Sequence, residues 1–194
     1  YNNNKLHLVD FEILSHHDDF SYDTLDITTI KNKSKIKLFE SDSFPLGEVV
    51  DSTQGITVYA KVQGEKINYF NDRVISKFSK PVTRGRYIFK YKHIWNGSYI
   101  EYGNWLWCKR QDKFFEEPKI FLRQTSSDLI ATYIEEPFYC IDSVHSLIKK
   151  DDRFDIKYIL AILNSKLGNY IYHLLIAEKG KVFAQVKLTF LREI

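Results

Sequence analysis

At 194 residues and 23.0 kDa, with 44% hydrophobic residues, the chain is long enough for one domain with a packed core. No apolar run approaches the roughly 18 to 20 residues of a membrane-spanning helix, and the polar opening "YNNNKLHLVD" is unlike a signal peptide, so a soluble, cytoplasmic protein with no membrane partner is expected. The net charge of +3 is unevenly spread: residues 1–60 carry 5 basic and 10 acidic side chains, 61–125 carry 14 and 6, and 126–194 carry 9 and 9.

The basic middle third is interleaved with Tyr69, Phe70, Tyr87, Tyr91, Trp95, Trp105 and Trp107. That is the make-up of a phosphate-facing surface, or of a solvated basic face over an aromatic core. Cys108 and Cys140 lack the spacing of a zinc site or redox pair and are expected as reduced, partly buried thiols. With Tyr1 first and no methionine, the chain reads as a piece of a longer polypeptide.

In chain order, "LHLVDFEIL" alternates His7, Val9, Phe11 and Ile13 with mixed neighbours and predicts a strand. "HHDDFSYDTLD" reads as an acidic loop. His16 and His17 beside Asp18 and Asp19 would point opposite ways on an extended chain, which disfavours a metal site. The lysines of "KNKSKIK" read as a charged hairpin or sheet edge. After Pro45, "LGEVVDSTQGITVY" gives an apolar run, then a polar turn of Ser52, Thr53, Gln54 and Gly55 before a second strand. Such a turn can grip phosphates, or its glycine can simply supply a positive φ.

"SKPVTRGRYIFKYKHIW" gathers Arg84, Arg86, Lys90 and Lys92 near Gly85. Strand alternation would put Arg86, Ile88, Lys90 and Lys92 on one face and Tyr87, Phe89 and Tyr91 on the other. Further strands are expected near 99–102 and 119–123, with "LIATYI", "FYCID" and "VHSLI" continuing a mainly antiparallel meander. Trp105 and Trp107 share strand parity, so both face inward or both form an exposed wedge, and burial is the expectation for side chains of that size.

From Asp155, an N-cap, apolar residues recur at Ile156, Ile159, Leu160, Leu163, Leu167, Tyr170, Ile171, Leu174 and Leu175, a helical spacing. Asn164 and Ser165 interrupt it, and Ser165 can cap a second helix from Lys166. "KVFAQVKLTFLREI" mixes a strand with a short helix. The fold expected is α+β, with mainly antiparallel twisted sheets and a C-terminal pair of helices packed on them.

The sequence holds no glycine-rich cofactor turn, Asn/Asp-Pro-Pro-aromatic motif, P-loop or histidine pair at metal-ligand spacing. Glu116, Glu117 and Lys119 of "EEPK" faintly suggest the acid and lysine cluster of a metal-dependent nuclease, but its partner acid is missing. Catalysis by this chain alone is not expected.

The series "KPVTRGRYIFKY", "EEPKIFLRQTSSDLIATY", "FYCIDSVHSLI" and "YILAILNSKLGNYIY" resembles the C-terminal specificity domain of adenine-specific DNA methyltransferases and type IIG restriction-modification enzymes. Pro118, Lys119, Ile120, Arg123 and Gln124 match that family's Pro-Lys-Ile-x-x-Arg-Gln strand, and residues 163–166 its Leu-Asn-Ser-Lys helix. The chain stops at Ile194, where the family's closing proline would follow, which reads as a domain boundary. A weaker similarity reaches the target-recognition domains of type I specificity subunits, through "LGEVVDSTQG" and the helix.

The resemblance implies that residues 46–194 form a target-recognition domain for double-stranded DNA, non-catalytic and without a cofactor of its own. Residues 1–45 would be an N-terminal extension or sheet edge. The parent would be prokaryotic, with a methyltransferase domain in the same chain that flips and methylates an adenine using S-adenosylmethionine, and magnesium if it also cuts DNA. Part of the helical surface would meet that domain.

In this light Lys77, Lys80, Arg84, Arg86, Lys90, Lys92, Lys109 and Arg110 are expected to face DNA, the lysines on phosphates. Arg123, Gln124 and Thr125 are also expected to contact DNA, and an arginine or glutamine can pair bidentately with a base. Arg123 and Gln124, however, belong to the pattern shared by enzymes that read different sequences, so Arg123 is expected to contact phosphate or organise a turn before it reads bases. Sequence preference is sought in the loops 61–71 and 96–111. The alternative is a non-catalytic protein-interaction module whose basic third only confers solubility.

Overall fold

The computed structural model describes residues 43–60, 69–175 and 185–194. The predicted strand through His7 and Ile13, the acidic loop with His16 and His17, and the lysines of "KNKSKIK" lie outside the described residues.

One helical turn, α1 (Leu46–Val49), leads directly into β1 (Val50–Gln54), and β2 (Thr57–Ala60) follows. Ser52, Thr53 and Gln54 therefore lie in a strand, not in the expected turn. Gly55 makes the corner between the strands, and its φ is not positive. What requires glycine there is close approach: a Cβ would run into the carbonyl of Ile141.

The middle of the chain supplies short strands: β3 (Phe70–Asn71), β4 (Ser79–Thr83), β5 (Ile88–Phe89), β6 (Lys92–His93), β7 (Tyr99–Glu101) and β8 (Leu106–Cys108). After the single turn α2 (Lys113–Glu116) come β9 (Lys119–Arg123), β10 (Ala131–Ile134), β11 (Tyr139–Cys140) and β12 (Val144–Lys149). The main sheet has the order β1-β12-β9-β10 and is antiparallel throughout. A second sheet runs β11-β4-β7-β3. Antiparallel pairing dominates as expected, but the strands do not form a simple meander. Two-residue β11 leaves the main sheet and pairs parallel with β4, Tyr139 beside Val82.

Alternation along the central strands sorts side chains into two cores. Ile120, Leu122, Ala131 and Leu147 face the helices, whereas Phe121, Ile134, Val144 and Ile148 face the second sheet. Because the main sheet is buried on both faces, β9 reads as a nearly continuous apolar run.

The helices α3 (Ile156–Asn164) and α4 (Lys166–Leu175) start where their caps predict. The Asp155 carboxylate accepts from Lys157 N at 2.6 Å and the Ser165 hydroxyl from Gly168 N at 2.9 Å. Ile159, Leu160, Leu163 and Tyr172 seal the helix-side core. A last turn, α5 (Leu188–Leu191), closes the described chain, with Leu46 N bonded to Ile194 O at 2.8 Å.

Asn164 at the junction of α3 and α4 has a role that its sequence position did not disclose. Its buried side-chain amide accepts from Ala131 N and donates to Ala131 O, both at 2.9 Å. Asn169 accepts from Leu129 N at 2.7 Å. Two side-chain amides thus take the place of a neighbouring strand for backbone groups of Leu129 and Ala131.

Candidate nucleic-acid interface

The segment joining β4 to β5 carries Arg84 and Arg86 on either side of buried Gly85. It is held from two directions. Arg123 Nε donates to Gly85 O at 2.8 Å, and Gly85 N donates to the Ser143 hydroxyl at 3.0 Å. A Cβ on residue 85 would stand 2.7 Å from Ser143 O, so the two segments meet backbone to backbone. Arg84 lays its guanidinium over the Phe70 ring at 4.5 Å, and exposed Arg86 lies over Tyr87 at 5.0 Å. Stacking fixes a guanidinium without cancelling its charge.

Arg123 is therefore a turn organiser. Gln124 anchors the same corner through its backbone, with its N–H on Ser143 O at 2.9 Å and its carbonyl accepting from Val186 N at 2.7 Å. Thr125 bridges to Gln185. Phe70 stood among the aromatics interleaved with the basic third, whereas Ser143, which completes this arrangement, carried no local signal because its importance exists only across the fold.

Beyond Tyr87 the single strand expected through Lys92 is replaced by a tight hairpin. Ile88 pairs with His93 and Phe89 with Lys92, and Tyr91 takes φ +62° at the tip. The turn interrupts the alternation: Ile88 is buried, while Phe89, Lys90, Tyr91 and Lys92 are all exposed. Tyr91 N bonds Ala131 O at 2.9 Å, and Lys90 Nζ donates to Asn164 O at 2.9 Å, so Lys90 points to the helix junction.

Lys77, Lys80 and Lys109 line a different depression, of about 450 Å³, at the far end of β4 from Arg84. Two matched arrangements occupy it. Lys80 pairs with Glu116 at 3.3 Å, and Glu116 accepts from the Tyr139 hydroxyl. Lys109 pairs with Asp112 at 3.1 Å, and Asp112 accepts from the Tyr102 hydroxyl at 2.5 Å. The two phenol rings are in edge contact at 4.6 Å.

Burial raises both phenol pKa values, and the hydrogen bonds to Glu116 and Asp112 push the same way. The Tyr102 hydrogen bond in turn lowers the Asp112 pKa. Lys80 and Lys109 are thus locally neutralised, whereas Lys77, Arg84, Arg86, Lys90 and Lys92 form no ion pair among the described residues. Arg110, at φ +70°, turns away from this site and donates to Gly55 O at 3.2 Å.

One expectation fails on burial, and burial also bears on the nuclease reading that the sequence disfavoured. Trp105 and Trp107 are 37% and 62% exposed, because Leu106 between them takes the inward position on β8. Lys119 is fully buried, its ammonium donating to Glu117 O at 2.8 Å and Glu136 O at 2.9 Å. An ammonium enclosed by main-chain carbonyls is a structural tie, which removes the nuclease reading of Glu116, Glu117 and Lys119. The stretch 96–111 is not one long loop, since it contains β7 and β8, and residues 61–68 lie outside the described residues.

The model of the TaqI-like C-terminal specificity domain family matches residues 80–194, more than half of the chain and every element from β4 onward. The chain belongs to this family. It is accordingly a specificity domain, the part of a restriction-modification enzyme that recognises the DNA target.

Similar solved structures include a chain from work on the complex assembly and conformational transition of the type I R-M system, with TM-score 0.47 and 10% identity over 98% of this chain and 42% of that one. Another is the HsdS subunit from Thermoanaerobacter tengcongensis, with TM-score 0.41 and 11% identity over 98% of this chain and 44% of the subunit. The chain spans less than half the length of either. No curated protein matches it.

Proposed function

We propose that this specificity domain holds duplex DNA against the segment bearing Arg84 and Arg86, and that its parent is an adenine-specific methyltransferase of the type IIG kind. The observation that carries the DNA face is the clamped Gly85 corner. Arg123 and Ser143 fix a backbone from which two arginines project without carboxylate partners among the described residues. Preorganised cations of this sort suit phosphate contact, and a stacked arginine keeps donors for a base edge. Exposed Lys92 extends the cationic surface from the hairpin, whereas Lys77 lies at the far end of β4 and Lys90 is turned to Asn164 O.

S-adenosylmethionine, and magnesium if the parent also cuts, would belong to the catalytic part of the parent. Among the described residues no three His, Cys, Asp or Glu side chains are grouped to hold a metal, and no helix is long and apolar enough to cross a membrane. The exposed row Tyr158, Ile162, Leu167 and Tyr170 on α3 and α4 supports the reading that the methyltransferase domain docks on the helices. Leu167→Asp should weaken association of the separately expressed domains at least tenfold in a pull-down titration, with the melting temperature unchanged.

The DNA face is tested by anisotropy titration of a labelled duplex over a range of salt. Arg84→Ala with Arg86→Ala should lower affinity and reduce the log-log salt slope by about 0.9 for each phosphate no longer neutralised. A wild-type chain that binds no duplex at low salt would overturn the proposal.

A further inference from the structure

A depression of about 540 Å³ runs beside edge strand β1 and is lined by Asp51, Ser52, Thr53, Arg110, Lys150 and Arg192, among others. It runs along β1, and its Lys150 end lies toward the opposite end of β12 from the Gly85 corner: Val144 pairs with Arg123 at one end, where Arg110 reaches Gly55, and Lys150 follows the other. Its three cations come from segments far apart in sequence, one after β8, one after β12 and one after α5.

What orients these cations is the decisive feature. Arg192 Nε donates to the Ser52 hydroxyl and its Nη2 to Ser52 O, both at 3.0 Å. Arg110 Nε donates to Gly55 O at 3.2 Å, and Lys150 Nζ reaches Gly47 O at 3.4 Å. Every one of these hydrogen-bond acceptors is neutral; Lys150 also acts on neighbouring Asp151, but that carboxylate is paired with Arg153 at 2.6 Å. Among the described residues Asp51 is the one acid on the lining, and it is paired with Lys113 at 2.9 Å. The contrast with Lys80 and Lys109, each beside a carboxylate, is direct. An open depression with surplus positive charge and two hydroxyls meets the requirements of a phosphodiester.

We infer that the β1 depression is a second phosphate-binding site, which grips the DNA backbone at a distance from Arg84 and Arg86 through Lys150 and Arg192, with Arg110 adding to the field. The inference rests on the proposed DNA face and adds a separate grip to it.

The test uses the 194-residue chain with Lys150→Gln, Arg192→Gln and Arg192→Lys, titrated against labelled duplex across salt. Each Gln variant should reduce the log-log salt slope by about 0.9, and Lys157→Gln, on α3 outside the depression, should leave it unchanged. Arg192→Lys keeps the cation without the fork on Ser52, and should keep the slope. Equal slopes in wild type and both Gln variants, on a wild type that binds, would overturn this inference alone. So would a slope that falls equally in Arg192→Lys, since the role would then be structural. Competition by polyglutamate that disappears in the Gln variants would assign the depression to an acidic protein surface instead. A wild type without salt-dependent duplex binding would overturn the DNA face as well.

Discussion

Lys119 shows how a single residue can look chemical in sequence and be structural in space. Burial lowers its pKa to about 8, against 10.5 for a free lysine. Between those values the folded state holds fewer protons than the unfolded state, so this group's contribution to stability rises with pH. In urea denaturation, the stability of wild type relative to Lys119→Met should increase by about 1–2 kcal/mol from pH 8 to 9.5. A difference that is flat with pH would mean that Lys119 is not desolvated in the fold. Arg123 gives the complementary lesson. Its place in the motif marked it as important, but only its hydrogen bond to Gly85 O shows that it holds the neighbouring arginines in place.

At the scale of elements, the two helices were legible because their stop and start signals are local. Asp155 and Ser165 cap the turns that follow them, and periodic apolar residues face one core. The strand of residues 119–123 was equally legible as an apolar run. The hairpin at Lys90 and Tyr91 was not, since it lacks the usual Asn-Gly signal and places a tyrosine at positive φ. The cap formed by Asn164 on Ala131 was also hidden, because an asparagine interrupting a helical pattern looks the same whether it ends a helix or satisfies a sheet. Asn164→Leu should destabilise the domain by about 1–3 kcal/mol in chemical denaturation, since it leaves the buried Ala131 N–H unpaired and Ala131 O with Tyr91 N alone. Ser165→Ala should cost about 1 kcal/mol, the usual value of an N-cap.

For the molecule as a whole, charge location matters more than charge count. The basic third of the sequence folds into groups with different surroundings: Arg84 and Arg86 on the clamped corner, Lys80 and Lys109 beside carboxylates, and Arg110 in the β1 depression. Lys80→Ala and Lys109→Ala should therefore change the salt slope of duplex binding by less than half as much as Arg84→Ala with Arg86→Ala. Equal effects would mean that DNA displaces Glu116 and Asp112 from the lysines. The same surroundings explain the limits of reading a site from composition: a lysine looks identical in sequence whether its neighbour in space is solvent, a carboxylate or a phosphate.

By itself, the sequence determined the class of fold, the helix starts, the absence of the common catalytic motifs and the family resemblance that the match over residues 80–194 bore out. These depend on short-range periodicity, on capping and on ordered motifs, all of which survive in one dimension. Tertiary structure alone decided that Gly55 serves close approach, that Trp105 and Trp107 stay exposed, and that Lys119 is enclosed by carbonyls. It also decided which cations keep their charge unopposed. Each of these is set by groups distant in the chain, and the free energy of a charge depends on what folding brings beside it.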